Sequence, residues 1–324
     1  MKVSYNEVKE RLIKKFIASG LAWDDANWVT DVLISSEQRG DKSHGIKYAK
    51  NIFDVINSEC YIAQAPIIHD ERSITILDGQ NSIGPIVAKQ AIDIAIKKAK
   101  KYGTAAISLR SSNHLFSLSH YVRYIANNNM IGFICSSSSP AMAAPNSLNA
   151  TIGTNPFAFG APSSKDPIVI DMSSTNVARG KIKEYKDAEL DIPVSWALDE
   201  YGNPTTCAIE ALKGTLSPLG GYKGFALGCM IDIFSSVLSG SAFSTQITGT
   251  SLHMEEADVN KKGDFLFVLD ISKFIQLSEF KIRMDEFIHI IESNGGYIPG
   301  TNYINNQFTD IEILNYGWGL NDEY

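Results

Sequence analysis

The sequence predicts an α/β protein built on a mixed sheet that is not a Rossmann domain. Two observations carry this. β-rich segments alternate with segments of helical periodicity along the 324 residues. No G-x-G-x-x-G follows any predicted strand, and no Walker A loop, G-x-S-x-G elbow or H-E-x-x-H occurs.

The elements read in order. Residues 4–39 form two helices. Ser4 and Glu7 have capping-box spacing, and Val8, Leu12, Ile13, Phe16 and Ile17 share one apolar face up to a stop at Gly20. The second helix starts near Asp24 and turns Trp28, Val32 and Leu33 inward. Residues 73–78 form a strand. Pro85 then opens a helix that buries Ala88, Ala91, Ile92 and Ala95 and ends at Gly103, with lysines near its negative end. A strand at 104–109, a helix at 115–127 and a strand at 130–136 follow. Further strands are expected at 168–172 and 265–271, and helices at 224–238 and 284–293. The Pro/Ser/Asn-rich stretches at 136–150 and 161–166 read as exposed loops. Length allows one or two domains: a helical one over 1–72, completed by 275–324, and a mixed α/β one over 73–274.

Composition narrows the function classes. With 44% hydrophobic residues the chain can bury a large core. A net charge of -7 argues against a nucleic-acid backbone or an anionic membrane as main partner. It leaves an anionic metabolite open, because a few local cations outweigh the global sign. Cys60, Cys135, Cys207 and Cys229 are scattered, which suits a reducing compartment and gives no zinc-ligand spacing. The first sixteen residues carry charges throughout, unlike a signal peptide, and no apolar run is long enough to span a bilayer. A cytoplasmic protein is expected.

Four clusters have residue types suited to chemistry. Asp41-Lys42-Ser43-His44-Gly45 follows a helix end; it is a capping turn or a site for an acid/base histidine. Ser111-Ser112-Asn113-His114 lies where a strand meets a helix; it is a cap or a ligand-binding strand end. Gly153-Thr154-Asn155-Pro156, with Asp171-Met172-Ser173-Ser174, offers turn chemistry or hydroxyls for a phosphate. Gly220-Gly221-Tyr222-Lys223-Gly224 opens an apolar helix, where a lysine is either solvated or facing an anion. His69, His120, His253 and His289 have no partner at ligand spacing, Glu255-Glu256 reads as a solvated loop, and Trp196 reads as core packing.

Seven stretches in order resemble the malate/L-lactate/sulfolactate dehydrogenase-like family, which includes ureidoglycolate dehydrogenase, diketogulonate reductase and piperideine-2-carboxylate reductase. They are RGDKSHGI (39–46), SSNH (111–114), IGTNPFAFGAP (152–162), IVIDMSSTNVARGKI (168–182), IPVSWALDEYGNPTT (192–206), GGYKGFALGCMIDIFSSVLSGSAF (220–243) and GDFLFVLDISKF (263–274). The resemblance implies a mixed-sheet domain that binds NAD or NADP, a mainly helical second domain, and a homodimer. It implies hydride transfer to or from a small 2-oxo or 2-hydroxy acid. His44 with Ser43 beside it, or His114, takes the acid/base role. Ile168, Val169, Ile170, Asp171, Met172, Ser173, Ser174, Lys223, Gly224, Pro299, Gly300 and Thr301 match cofactor-contacting segments.

The chain also departs from the family pattern. Tyr48 stands where an arginine usually grips the substrate carboxylate, which leaves Lys47, Tyr48 and Asn113 as candidate substrate contacts. On a helix, Lys47 is expected to point about 100° from Tyr48. Phe116 replaces a usual glycine and is expected to crowd the site. Thr301, Cys207 and Asp264 replace a usual Glu, Asp and His. These changes point to an unusual substrate. Two alternatives accompany the leading reading: a cyclic-imine carboxylate reductase, and a catalytically silent paralogue serving as a binding or structural dimer.

Overall fold

The computed structural model describes residues 2–41, 44–58, 61–248, 262–300 and 310–312. In chain order the elements begin with β1 (Lys2–Ser4), α1 (Tyr5–Ala18), α2 (Trp23–Gln38), a 3-10 turn at Ile46–Tyr48 and α3 (Ala49–Ile56). Next come β2 (Ile67–Glu71), β3 (Ile74–Asp78), α4 (Gly84–Tyr102), β4 (Thr104–Ser112), α5 (Ser119–Asn127), β5 (Met130–Ser136), β6 (Met142–Ala143), β7 (Ala150–Ile152), β8 (Phe157–Ala161) and β9 (Ile168–Met172). The rest are α6 (Arg179–Asp187), β10 (Ala197–Leu198), α7 (Ala208–Lys213), β11 (Thr215–Leu216), α8 (Tyr222–Asp232), β12 (Lys262–Asp270), α9 (Leu277–Ser293) and β13 (Asp310–Glu312).

A seven-stranded mixed sheet runs β2-β3-β4-β12-β5-β8-β9, with β3 and β4 parallel and every other pair antiparallel. Helix α4 makes the crossover that a parallel pair requires. Its inward residues Ala88, Ala91, Ile92 and Ala95 are fully buried, and Gly103 caps it at φ 89°. Helix α1 begins as the spacing predicts: Ser4 Oγ accepts the Glu7 N–H at 3.3 Å, and Val8, Leu12 and Phe16 are buried.

Two cores support the molecule. The larger joins α1–α3, β3–β5, α4 and α5. The smaller joins Met142, Ile152, Val177, Ile182, Ile192, Ala197, Ala208 and Leu216.

Several expectations need correction. Helix α9 starts at Leu277 rather than at 284, and residues 161–163 of the expected exposed loop are buried. Helix α5 starts at Ser119 rather than at 115. In between, the Asn113 side chain accepts the His114 N–H and His114 Nδ1 accepts the Phe116 N–H. Side chains there take donors that a helix would use. Helix α8 ends at Asp232 and continues as a π-helical turn at Ile233–Val237. The 136–150 stretch is an exposed loop only in part, since Ser136, Ser137, Ala141 and Met142 are buried.

Candidate active site

A cleft of about 760 Å³ opens between two walls. One is formed by His44, Lys47, Tyr48, Asn51 and His114. The other is formed by Ala178, Arg179, Gly180, Lys183, Glu184 and Asp187 at α6. Ser138, Ser139, Pro140, Ala141 and Thr154 also line it, with Leu212 and Thr248.

The histidine wall is set from below by Glu37. This buried carboxylate near the end of α2 accepts the Ile46 N–H at 2.9 Å. A Cβ on residue 45 would collide with the Glu37 side chain, so any larger residue after His44 would have to displace that carboxylate. His44 Nδ1 lies 3.0 Å from Asp41 Oδ2. Ser43, its expected companion, lies outside the described residues.

His114 sits between two strained residues, Ser111 (φ 48°) and Phe116 (φ 60°). A left-handed non-glycine residue costs on the order of 1–3 kcal/mol. The His114 and His44 rings stack at 5.6 Å between centroids, and Tyr48 stacks on His114 at 5.8 Å. Burial first, then His44 and Lys262, hold His114 well below the ordinary histidine range. Burial, with Asp41 and Glu184, pushes the Tyr48 hydroxyl up to about 12, so it stays a neutral donor.

Below His114 lies a buried ion pair. Lys262 Nζ is 2.6 Å from Asp264 Oδ1 and 3.0 Å from Ser136 Oγ, and the side chains are 2% and 0% exposed. Asp264 Oδ2 is buried with no hydrogen-bond partner among the described residues.

The candidate residues thus divide. His44, Lys47, Tyr48 and His114 converge on the cleft. Lys47 does not point away from Tyr48: its ammonium folds back to 5.4 Å over the Tyr48 ring, and both line the cleft. Phe116 does not crowd the cleft either. It packs against Tyr48 at 5.3 Å and His114 at 4.9 Å, and faces a small apolar recess with Ile52, Val55 and Ile83. Asn113 borders that recess rather than the cleft, and both ends of its amide hold backbone, at Asn81 and His114.

Ile168, Val169, Ile170, Asp171, Met172, Ser173 and Ser174 are absent from the cleft lining. Ile168 and Val169 are core. Asp171 accepts the Ser119 N–H at 2.8 Å and the Ser117 hydroxyl at 2.9 Å, capping α5, and Arg39 reaches the same Ser117. Ser174 donates to the carbonyl of Thr154, which does line the cleft. Gly224 packs on the Ser174 and Leu219 backbone where no Cβ fits, and Lys223 is exposed. Pro299 and Gly300 are not among the lining residues, and Thr301 is outside the described residues.

Residues 138–141, Asn51, Arg179 and Lys183 were not singled out from the sequence. Arg179-Gly180-Lys181 at a helix start was the available signal. The N-cap there, Ala178, supplies no side-chain cap. That leaves helix-start N–H groups suited to an anion beside Arg179 and Lys183.

Comparison with known proteins identifies the fold and its chemistry. The family described as Malate/L-lactate dehydrogenase matches residues 3–304. The chain belongs to this family. An L-sulfolactate dehydrogenase from Methanothermobacter thermautotrophicus is 33% identical, covering 97% of this chain and 90% of that protein. A ureidoglycolate dehydrogenase (NAD(+)) from Escherichia coli O157:H7 is 31% identical over 76% of this chain and 71% of its own length. Among solved structures, the sulfolactate dehydrogenase from Methanocaldococcus jannaschii superposes with a TM-score of 0.88 at 29% identity, covering 97% of this chain and 94% of that one. The chain is therefore an oxidoreductase of the nicotinamide-dependent type, on a mixed α/β fold.

Proposed function

We propose that the chain moves a hydride between NAD or NADP and a small anionic 2-oxo or 2-hydroxy acid, with His44 and His114 at the reacting carbon. The observation that carries this is their convergence with Lys47 and Tyr48 on one cleft wall, opposite Arg179 and Lys183.

The cleft fits a nicotinamide cofactor by its donor set. Ser138, Ser139 and Thr154 offer hydroxyls, and the start of α6 offers N–H groups beside two cations. The bound cofactor supplies the hydride; the protein supplies orientation and charge. A histidine of the wall exchanges a proton with the substrate oxygen. Tyr48, kept protonated, donates to the substrate, and Lys47 neutralises part of its charge. A tyrosine replaces a bidentate arginine contact by a single neutral one, which supports a substrate unlike malate or lactate.

Exposed apolar side chains on α8 and the turn after it (Met230, Ile233, Phe234, Val237, Leu238) support a homodimer. The free cysteines Cys135, Cys207 and Cys229 support a cytoplasmic location. Among the described residues no helix is long and apolar enough to cross a membrane.

The test titrates NADH and NADPH by fluorescence, then follows cofactor oxidation with a panel of 2-oxo acids and cyclic imino acids. Binding of one cofactor and turnover of an oxo acid are expected. A folded protein that binds neither cofactor contradicts the proposal.

A further inference from the structure

The two cleft histidines are held by their hydrogen bonds in opposite ways. His44 Nδ1 lies 3.0 and 3.2 Å from the two Asp41 oxygens. A carboxylate only accepts, so Nδ1 carries a proton, and Nε2 is the nitrogen through which the ring can gain or lose one. His114 Nδ1 lies 2.9 Å from the Phe116 backbone N, which only donates. That Nδ1 is therefore bare, and the neutral ring carries its proton on Nε2.

The surroundings reinforce the difference. Asp41 on its own loop and Lys47 and Tyr48 on the following turn stand around His44, with Glu37 of α2 beneath that turn. His114 instead faces His44 and Lys262 of β12, both of which oppose a positive charge, while Asp41 favours one. The stacked rings, 5.6 Å apart and 20° from parallel, disfavour both being cationic together. Lys262 is fixed there by register: its Cα pairs with Ser112, two residues before His114.

We infer that Asp41 is a positioning residue that makes His44 the proton-transferring histidine of the cleft, while His114 acts as a fixed, neutral Nε2–H donor. The proton's recipient rests on the hydride-transfer reading; the opposite tautomers do not.

In the reducing direction the steps balance. A bound nicotinamide would supply the hydride and its electron pair to the oxo carbon, and the C=O π pair would move onto oxygen. The oxygen takes the Nε2 proton of His44, whose ring ends neutral with Nδ1–H still on Asp41. Solvent restores the Nε2 proton. His114 donates a hydrogen bond to the same oxygen and keeps its proton, because losing it would create an imidazolate.

The experiment records imidazole 15N spectra of the full-length protein across pH 5–9, beside steady-state kinetics. Wild type, Asp41→Ala, Asp41→Asn, His44→Gln and His114→Gln are compared. The neutral rings are expected as an Nδ1–H tautomer at His44 and an Nε2–H tautomer at His114. His114 is expected to show no protonation in this range. Asp41→Ala is expected to lose the Nδ1–H preference of His44 and about 10–100-fold of kcat, in line with the loss of a partner that orients a functional histidine. Nicotinamide affinity is expected to persist. His114→Gln, which keeps an N–H donor, is expected to retain more kcat than His44→Gln.

A His114 ring that protonates near neutral pH overturns the inference. So does an unchanged His44 tautomer and kcat in both Asp41 variants. The spectra need no substrate. If no 2-oxo acid turns over, the functional reading fails while the tautomers are still decided.

Discussion

The two walls of the cleft rest on different supports. The histidine wall stands on the larger core, with Ile46 and Ala49 buried and Glu37 bonded beneath its turn. Around its rings, Asp41 holds His44, Asn113 holds the His114 backbone, and His114 holds Phe116. The α6 wall stands on the smaller core through Ile182 and Val177, and its Lys183 reaches out exposed. A proton must be delivered within tenths of an ångström, whereas a cation need only come near an anion. Rigid support therefore falls under the chemistry, and long, adaptable side chains lie where charge suffices.

The largest effect expected on the histidine wall is chemical. His44→Ala should lower kcat by about 10²–10⁴-fold with nicotinamide binding retained. Initial rates and fluorescence titration check this. A comparable loss from Lys183→Ala would erase the distinction between the walls.

The next effect is on stability. Lys262→Met leaves Asp264 charged and unpartnered in the core, and should cost about 3–5 kcal/mol. Urea unfolding reads it, and the double change Lys262→Met with Asp264→Leu should recover much of the loss. If Lys262→Met is neutral, the pair does not support the floor beneath His114.

A third prediction concerns acid. Burial first, then Arg39, Arg123 and Lys9, push His120 down to about 3, and His114 is also lowered. Below the unfolded value of about 6.5 the unfolded chain binds protons that the folded rings refuse. Stability from these groups is therefore full above pH ~6.5 and is lost progressively as the pH falls toward the folded values. The loss should reach the order of a few kcal/mol. His120→Phe, placed against the edge contact with Trp28, should flatten this slope in unfolding measured from pH 7 to 4.

The smallest effect is expected on the α6 wall. Lys183→Ala should weaken cofactor binding by about 1 kcal/mol or less, and less still in high salt. Titrations at two ionic strengths check both the size and the salt dependence.

Much of this architecture could be read from the sequence because it follows local rules. Helix α4 shows its proline start, alanine face and glycine stop, and the strand around Phe265 shows its apolar run. His44 and His114 stood only as alternative acid/base candidates implied by the resemblance, and their meeting on one wall is visible only in the fold. What escaped the sequence depends on backbone geometry or distant partners. Phe116 was expected to crowd the cleft, but its left-handed backbone turns the ring into the recess beside Ile83. Asp171 matched a cofactor-contacting segment, but distance in sequence hid Ser117 and Ser119, which claim its carboxylate. Asp41 was visible as a residue, but its role required seeing which ring nitrogen it meets.

The most direct test of hydride transfer on the histidine wall is to follow label. NADH or NADPH deuterated at the transferred position of C4 is incubated with the protein and the 2-oxo acid panel, and the products are examined by mass spectrometry and NMR. The account predicts deuterium at C2 of one hydroxy acid, transferred by wild type and lost or strongly slowed in His44→Ala. Wild-type protein that binds the cofactor yet transfers no deuterium to any 2-oxo acid would contradict it, as would undiminished transfer by His44→Ala.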